Sequence, residues 1–253
     1  MKSGIHGIEI EHEAPPASAY ADAVVLAAGT SERMGGADKL MMPIAGLPLL
    51  GWTLQSVAAA ASVRRIIVVA RPDRVEELAG ASYVRQLEAL VVAGGPRRQD
   101  SVANGVEAAS APIVLIHDGA RPLVTAELVD RVAAEAWKMG AAVPVVAVPE
   151  SMREVVNGEI VRAVDRTGLY RSQTPHGARL ELLRQVYAVQ DPHGLETFID
   201  ETTLVQSAGI RVATVPGEAQ NLKVTLPGDD ELAIALLGAR ALASDLLRGH
   251  VRS

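Results

Sequence analysis

The chain has 253 residues, a formal net charge of −6 and no cysteine. The negative charge argues against a surface for nucleic-acid polymers or anionic membranes, because such surfaces are rich in Lys and Arg. The absence of cysteine excludes disulfides, thiolate nucleophiles and sulfur metal ligands. Hydrophobic residues make up 49% of the chain but aromatic residues only 3%, so Ala, Val, Leu and Ile must fill the core. These features favour a parallel sheet, and nothing in them requires an oxidising compartment.

The N-terminal segment, residues 1–20, carries three glutamates and two prolines. It lacks the apolar run of a signal peptide and the Arg-rich, acid-poor character of a transit peptide. Nowhere does the chain contain about 18 uninterrupted apolar residues, so we expect no membrane span. We therefore predict a cytoplasmic protein with a loose extension over residues 1–20 and a single domain over residues 21–248.

Short apolar runs alternate with amphipathic segments along the first 150 residues. Five runs predict buried strands: ADAVVLAA, RRIIVVA, ALVVAGG, APIVLIHD and AAVPVVAV. Helical patterns lie between them at residues 49–61, 72–78, 100–109 and 125–138. This βαβα order predicts an α/β fold in which a mostly parallel sheet has helices on both faces. In such folds a ligand binds beyond the carboxyl ends of the strands.

The pattern changes at residues 150–166, where Asn157 and Gly158 separate the alternating runs REVV and EIVRAV. Asn-Gly favours a hairpin because both residues tolerate a positive φ. A hairpin so rich in Val and Ile needs another surface to cover it, so we predict a dimerisation arm. The alternative is a solvated edge hairpin of the same domain. Further helices are predicted at residues 178–189, 200–207 and 228–247, with a strand in GIRVATVPG.

The segment VVLAAGTSERMGGADKL runs from the first predicted strand into a loop with two cations, Arg33 and Lys39. The small residues at positions 27–29 let the backbone approach a ligand closely, with its N–H groups facing an anion. The loop contains neither the GxxxxGK[ST] nor the GxGxxG pattern. It therefore predicts a phosphate cradle of another kind, and the alternative is tight packing between a strand and a helix.

Two further segments end predicted strands with candidate ligand-binding groups. In GGPRRQDSV, backbone groups beside Gly95 can contact a base, whereas Asp100 or Ser101 can simply cap the next helix. In VLIHDGARP, Asp118 stands at the carboxyl end of a buried strand, where a metal-phosphate site would lie. The alternative there is a buried structural ion pair between Asp118 and Arg121.

Three residues offer little evidence of function by themselves. Lys223 has the character of an ordinary surface lysine, because lysine is usually exposed. His117 lies in a predicted strand and is interpreted as a packed core histidine, since no carboxylate or second histidine accompanies it in the pattern. His176 is equally unsupported as a catalytic or metal-binding group.

The loop LAAGTSERMGGADKL resembles the signature loop of nucleotidyltransferases with a Rossmann-like fold. Downstream, GGPRRQDSVANGV, IHDGARPLV, VDRTGLYRSQTPH and NLKVT are similar, in that order, to motifs of the 2-C-methyl-D-erythritol 4-phosphate cytidylyltransferase family. The resemblance covers about residues 22–237. It implies a Rossmann-like, doubly wound α/β fold. It also implies a homodimeric enzyme that joins CTP to methylerythritol phosphate with Mg²⁺, in the non-mevalonate isoprenoid pathway.

The resemblance also implies roles for individual residues. The implied catalytic residues are Arg33, Lys39 and Lys223. Those implied to bind the nucleotide are Ala27, Ala28, Gly29, Ser31, Gly95, Ser101 and Gly119. Those implied to bind the second substrate are Asp118, Arg121, Thr174 and, from the partner subunit, Ser151 and Arg166. Asp118 is also the implied metal ligand.

The chain departs from the family pattern at individual positions. Ser31 replaces a glycine, Leu40 replaces the glutamine of PKQ, Pro96 replaces an acidic residue and Ile199 replaces a threonine. The first loop alone is closer to the molybdenum-cofactor cytidylyltransferases and their guanylyl relatives. A ribitol-phosphate cytidylyltransferase shares much of the later pattern. A nucleotide-binding protein without catalysis is the non-enzymatic alternative.

Overall fold

The computed structural model describes residues 14–29, 38–226 and 228–250, with side chains up to residue 240. Its strands are β1 (Ala21–Ala27), β2 (Pro43–Ile44), β3 (Leu47–Pro48), β4 (Val63–Ala70), β5 (Leu90–Ala93), β6 (Ile113–Asp118), β7 (Ala141–Ala147), β8 (Met152–Val156), β9 (Glu159–Val164), β10 (Tyr170–Ser172), β11 (His176–Arg179) and β12 (Ala213–Pro216). Its α-helices are α1 (Leu49–Ala58), α2 (Val75–Gly80), α3 (Ser82–Arg85), α4 (Arg98–Glu107), α5 (Ala126–Met139), α6 (Leu180–Val189), α7 (Glu201–Ser207) and α8 (Asp229–His250).

The central sheet has eight strands in the order β10-β7-β11-β6-β1-β4-β5, and β12 pairs with β7. Strands β5, β4, β1 and β6 are parallel neighbours, whereas β10 and β11 run antiparallel to the strands beside them. The α/β fold with a mostly parallel sheet is therefore confirmed. Because parallel strands end at the same edge, the segments that follow β1, β4, β5 and β6 meet there.

Helices cover both faces of the sheet, as the alternation within its strands requires. In β1, Val25 belongs to a cluster that contains residues of α1 and α5. Its neighbour Val24 belongs to a cluster that contains residues of α4 and α6. Successive side chains of a strand point to opposite faces, so β1, which is apolar except for Asp22, is buried on both sides.

The predicted hairpin forms a separate two-stranded sheet of β8 and β9. Asn157 and Gly158 have φ angles of 51° and 85° at its turn. Two consecutive residues with positive φ define a turn whose twist matches the strands, which is why Asn-Gly suits this position. The hairpin prediction is thus confirmed.

One predicted element differs in the structure, and one strand was not predicted. The helical pattern at residues 72–78 is divided into a 3-10 turn, Pro72–Arg74, and α2. The strand β11 was not predicted, because HGAR is short and lacks an apolar alternation; it pairs with both β6 and β7.

Most of the predicted loose extension lies outside the described residues, which begin at residue 14. No helix within the described ranges has the length and apolarity that crossing a bilayer requires.

Candidate active site

Small residues line the edge of the sheet where β1, β5 and β6 end. A Cβ atom on Gly94 would lie 2.7 Å from the Cβ of Ala28. A Cβ atom on Gly119 would lie 2.7 Å from the carbonyl oxygen of Leu26. Neither position accepts a side chain without displacing its neighbour, so these strand ends approach each other closely. Ala28, in the phosphate cradle predicted at residues 27–29, therefore packs directly against the turn after β5.

The turn after β5 is closed by side chains from the start of α4. The N–H of Gly95 donates to Oγ of Ser101 at 3.1 Å, and that hydroxyl lies 3.3 Å from the carbonyl oxygen of Gly95. The carboxylate of Asp100 accepts from the backbone N–H of Arg97 at 3.0 Å. Asp100 therefore caps the helix, which agrees with the alternative interpretation of Asp100 or Ser101 as a capping residue. The same contacts fix the shape of the backbone beside Gly95.

Asp118 is the last residue of β6 and lies among three cations. Nζ of Lys223 is 3.0 Å from its Oδ2, and Nε of Arg121 is 3.5 Å from the same atom. Nη2 of Arg98 is 3.6 Å from its Oδ1. Burial alone would raise the pKa of Asp118, but the charges of Lys223, Arg98 and Arg121 outweigh it and hold the pKa well below its usual range. The carboxylate is therefore ionised, and the cluster has an excess of positive charge.

A buried hydrogen-bond network supports Asp118 from below. The N–H of Asp118 donates to Oγ1 of Thr174 at 3.1 Å, and that hydroxyl lies 3.0 Å from Nδ1 of His117. The carbonyl oxygen of Arg121 can only accept, so Nε2 of the neutral His117 ring carries the hydrogen and donates to it at 3.2 Å, which leaves Nδ1 to accept from the hydroxyl. Burial lowers the pKa of His117 to about 4. His117 is thus a neutral core residue, as predicted.

The segment around Lys223 is tied to the loop after β6 by its backbone. The N–H of Val224 donates to the carbonyl oxygen of Ala120 at 2.9 Å. A guanidinium nitrogen of Arg121 donates to the carbonyl oxygen of Asn221 at 2.8 Å. These bonds hold Lys223 beside Asp118, although the two residues are far apart in the sequence. Lys223 is therefore more than the isolated surface lysine that the sequence alone indicates.

Lys39 begins a 3-10 turn, Lys39–Met41, that follows the first loop. Oδ1 of Asp38 accepts from the N–H of Leu40 at 3.1 Å, and its Oδ2 lies 2.9 Å from Nη1 of Arg74. Asp38 thus caps the turn and anchors it to the segment after β4. The other two predicted residues of this loop, Ser31 and Arg33, lie outside the described residues.

Residues 21–239 match the family model described as 2-C-methyl-D-erythritol 4-phosphate cytidylyltransferase. The chain belongs to this family. A protein with that name from Cereibacter sphaeroides is 41% identical over 226 residues, which cover 87% of this chain and 97% of the relative. One from Frankia casuarinae is 38% identical over 242 residues, which cover 92% of this chain and 87% of the relative.

A solved structure has the same overall architecture. The crystal structure of 2-C-methyl-D-erythritol 4-phosphate cytidylyltransferase from Thermus thermophilus superposes with a TM-score of 0.71 and 38% sequence identity. The match covers 85% of this chain and 97% of that one. The resemblance noted in the sequence is therefore confirmed for the family and for the fold.

The structure brings most of the family's implied site residues to one edge of the sheet. At the ends of β1, β5 and β6 and beside them lie Ala27, Ala28, Gly29, Gly95, Ser101, Asp118, Gly119, Arg121, Thr174 and Lys223. Ser151 and Arg166 lie at the base of the hairpin arm and are exposed. Thr174 is buried, and its hydroxyl faces His117 and the backbone of Asp118.

Sequence reasoning missed a second set of charged residues behind Asp118. Nδ1 of His176 lies 2.9 Å from Oε2 of Glu201, and Nη1 of Arg98 lies 2.5 Å from Oε1 of the same carboxylate. The contact between His176 and Glu201 was not predicted, because Glu201 comes from a separate helix, α7. Arg98 lies within the motif GGPRRQDSV, and its charge was the one available indication.

Proposed function

We propose that this protein transfers the cytidylyl group of CTP to 2-C-methyl-D-erythritol 4-phosphate and releases pyrophosphate. The observation that carries the proposal is the cluster of Asp118, Lys223, Arg121 and Arg98 at the edge of the sheet where the family's motifs meet. Two phosphorylated substrates need such a surplus of positive charge, because each brings anionic oxygens into the site.

The cradle is suited to the nucleotide. The predicted cradle at residues 27–29 lies at the end of a buried strand, and a Cβ atom on Gly29 would meet no described atom within 4 Å. Main-chain N–H groups can therefore approach the phosphates of CTP closely. In this proposal Gly95, Ser101 and Gly119 contact the cytidine, while Ser31 and the first loop contact the triphosphate.

The cations act on the charge that develops during transfer. Arg33 and Lys39 are proposed to stabilise the equatorial and leaving oxygens. Lys223 keeps 40% of its side chain exposed while its Nζ contacts Asp118. Its ammonium group can therefore reach a phosphate oxygen without leaving the carboxylate. Arg121 is more buried and hydrogen-bonded to the backbone, so it contributes a fixed charge.

Magnesium fits the donor groups at this edge. The described residues contain no cluster of three His, Asp or Glu side chains that would bind a metal ion alone. Mg²⁺ is commonly held by one or two carboxylates together with substrate phosphates, so Asp118 and CTP would supply the ligands. When bound, the ion would neutralise charge on the phosphates and help the pyrophosphate to leave.

The chemistry needs no general base from the protein. A phosphate monoester has a second pKa near 6, so the attacking oxygen of methylerythritol phosphate is already largely anionic at neutral pH. His117 is unsuited to such a role, because both of its ring nitrogens face hydrogen-bond partners in the core. The catalytic task is therefore to position two anions for an in-line attack on the α-phosphorus and to stabilise the transition state.

The hairpin arm supports a dimer in which each subunit completes the other's site. Val155 and Ile160 are cross-strand neighbours, and both are more than half exposed. A lone two-stranded sheet with such apolar surface is marginal in water, so a second copy is the proposed cover. Ser151 and Arg166, at the base of the arm, would then contact the methylerythritol phosphate bound to the partner subunit.

The test is a pyrophosphate-release assay with CTP and Mg²⁺. Methylerythritol phosphate, ribitol phosphate and molybdopterin are offered in parallel, and we expect methylerythritol phosphate to give the highest kcat/KM. Faster transfer to either of the other acceptors would contradict the assigned substrate. Release with none of them would favour a nucleotide-binding protein without catalysis.

Lysine variants test the assigned charges in the same assay. We expect Lys39→Ala to lower kcat by at least about 100-fold, since a charge near the transition state is lost. Lys138→Ala is the matched control. Lys138 is exposed in the last turn of α5, which runs away from the proposed site. Near-full activity of Lys39→Ala would show that the role of Lys39 is wrong.

A further inference from the structure

A buried line of charged groups extends from Asp118 into the protein. Arg98 lies between two carboxylates, with Nη1 2.5 Å from Oε1 of Glu201 and Nη2 3.6 Å from Oδ1 of Asp118. The other oxygen of Glu201 lies 2.9 Å from Nδ1 of His176. The side chains of Glu201, His176 and Asp118 are each at most one-tenth exposed. These three groups are therefore little screened by solvent, whereas the side chain of Arg98 is 34% exposed.

Three elements outside the parallel part of the sheet bring these groups together. Arg98 is the first residue of α4, Glu201 is the first residue of α7 and His176 is the first residue of β11. The antiparallel pairing of β11 with β6 places His176 opposite Ile116, two residues before Asp118. The contact between Arg98 and Asp118 thus depends on how the second half of the chain packs.

The two contacts of Arg98 differ in strength. Its contact with Glu201 has hydrogen-bond geometry, whereas the separation of 3.6 Å from Asp118 is that of an ion pair without a direct hydrogen bond. Burial alone would raise the pKa of Glu201. The hydrogen bond with His176 and the charge of Arg98 outweigh this effect, so the pKa lies below its usual value and the carboxylate is ionised. Glu201 thus fixes the guanidinium, and Asp118 meets a cation that is already held in place.

We propose that Arg98 and Glu201 form a positioning pair for Asp118, with His176 fixing the orientation of Glu201. Arg98 attracts Oδ1 of Asp118, so Oδ2 is directed towards Lys223 and Arg121. The pair would thereby set the position of the Lys223 ammonium group, without touching either substrate. This inference rests on the proposed function, because it assigns Asp118 and Lys223 to the catalytic site.

The test neutralises the pair as a unit. The double variant Arg98→Gln with Glu201→Gln removes both charges and so leaves no unpaired buried carboxylate. Arg98→Lys keeps the charge but offers a single donor group instead of the planar fork. The matched control is Arg64→Gln with Asp22→Asn, which neutralises another partly exposed Arg paired with a buried Asp. Asp22 is the second residue of β1, at the edge of the sheet opposite the candidate site.

We expect the paired variant to lower kcat by about 10- to 100-fold, while KM for CTP changes by less than about threefold. Arg98→Lys should restore part of the lost kcat. The control pair should lower the thermal unfolding midpoint to a similar degree and leave kcat unchanged. The proposal would be overturned if the paired variant kept kcat within about threefold of the parent. It would also be overturned if the control pair lowered kcat as much as the paired variant does.

A crystal structure of the substrate-free paired variant provides a readout that does not depend on activity. We expect Oδ2 of Asp118 and Nζ of Lys223 to separate from 3.0 Å to more than about 3.5 Å. An unchanged contact would refute the positioning role. If the parent protein releases no pyrophosphate, the proposed function fails, and this structural comparison still decides whether Arg98 and Glu201 orient Asp118.

Discussion

His117 provides a quantitative test of the network beneath the candidate site. The ring is completely buried, and both nitrogens have hydrogen-bond partners that suit the neutral form. Burial lowers the pKa from 6.5 to about 4. Since one pKa unit corresponds to about 1.4 kcal/mol, protonation would cost the folded state about 3 kcal/mol more than the unfolded state.

The direction of the pH dependence follows from the protons that each state binds. Between pH 6.5 and 4 the unfolded chain binds more protons at His117 than the folded protein, so the free energy of unfolding falls as the pH falls. Neutral His117 makes its full contribution to the free energy of unfolding above pH 6.5, the pKa in the unfolded chain. About 2 kcal/mol of that contribution should be lost between pH 7 and pH 4.5. Substitution of His117 by Asn removes the titrating group and should remove this part of the slope.

Urea unfolding at a series of pH values measures the effect. His117→Asn also deletes the hydrogen bond to the carbonyl oxygen of Arg121, but that loss is independent of pH and separates from the slope. A difference between His117→Asn and the parent that stays constant from pH 7 to pH 4.5 would refute the reasoning.

Three further predictions concern the candidate site and the arm. Gly119→Ala should weaken CTP binding measured by calorimetry and destabilise the fold by about 1–3 kcal/mol, because its Cβ would lie 2.7 Å from the carbonyl oxygen of Leu26; unchanged affinity would contradict the cradle. Arg74→Gln should lower kcat/KM by less than about tenfold, because it removes the anchor of Asp38 beside the catalytic lysine but leaves the cap; a loss as large as that of the lysine variant would contradict this. Ile160→Glu should convert a dimer to a monomer in light scattering, because it places a charge on the exposed arm; a parent that is already monomeric would contradict the proposed interface.

Much of the fold could be predicted because its strongest elements carry local patterns. The run IVLIHD is apolar up to its final polar residues, and α5 has a capping Thr125 and apolar residues at helical spacing. The turn at Asn157 and Gly158 follows from backbone sterics alone. The strand β11 could not be predicted in this way, because its four residues become a strand only by pairing with β6 and β7.

The candidate site also contains residues that the local sequence indicates and residues that only tertiary packing brings together. Asp118 could be predicted as a candidate, because a carboxylate at the carboxyl end of a buried strand is visible in the sequence. Its partners could not be derived from spacing, because Lys223 and Arg98 arrive from opposite halves of the chain. The link from Arg98 to Glu201 and His176 depends entirely on tertiary packing. The family resemblance supplied Lys223, but it gave no role to these three residues.

The most direct test of the account is a crystal structure of the protein with CTP and Mg²⁺. The account predicts that the triphosphate lies against the backbone at residues 27–29, with the ammonium groups of Lys39 and Lys223 directed towards it. It also predicts the cytosine beside Gly95. A nucleotide bound away from the carboxyl edge of the sheet, with both lysines directed into solvent, would contradict it.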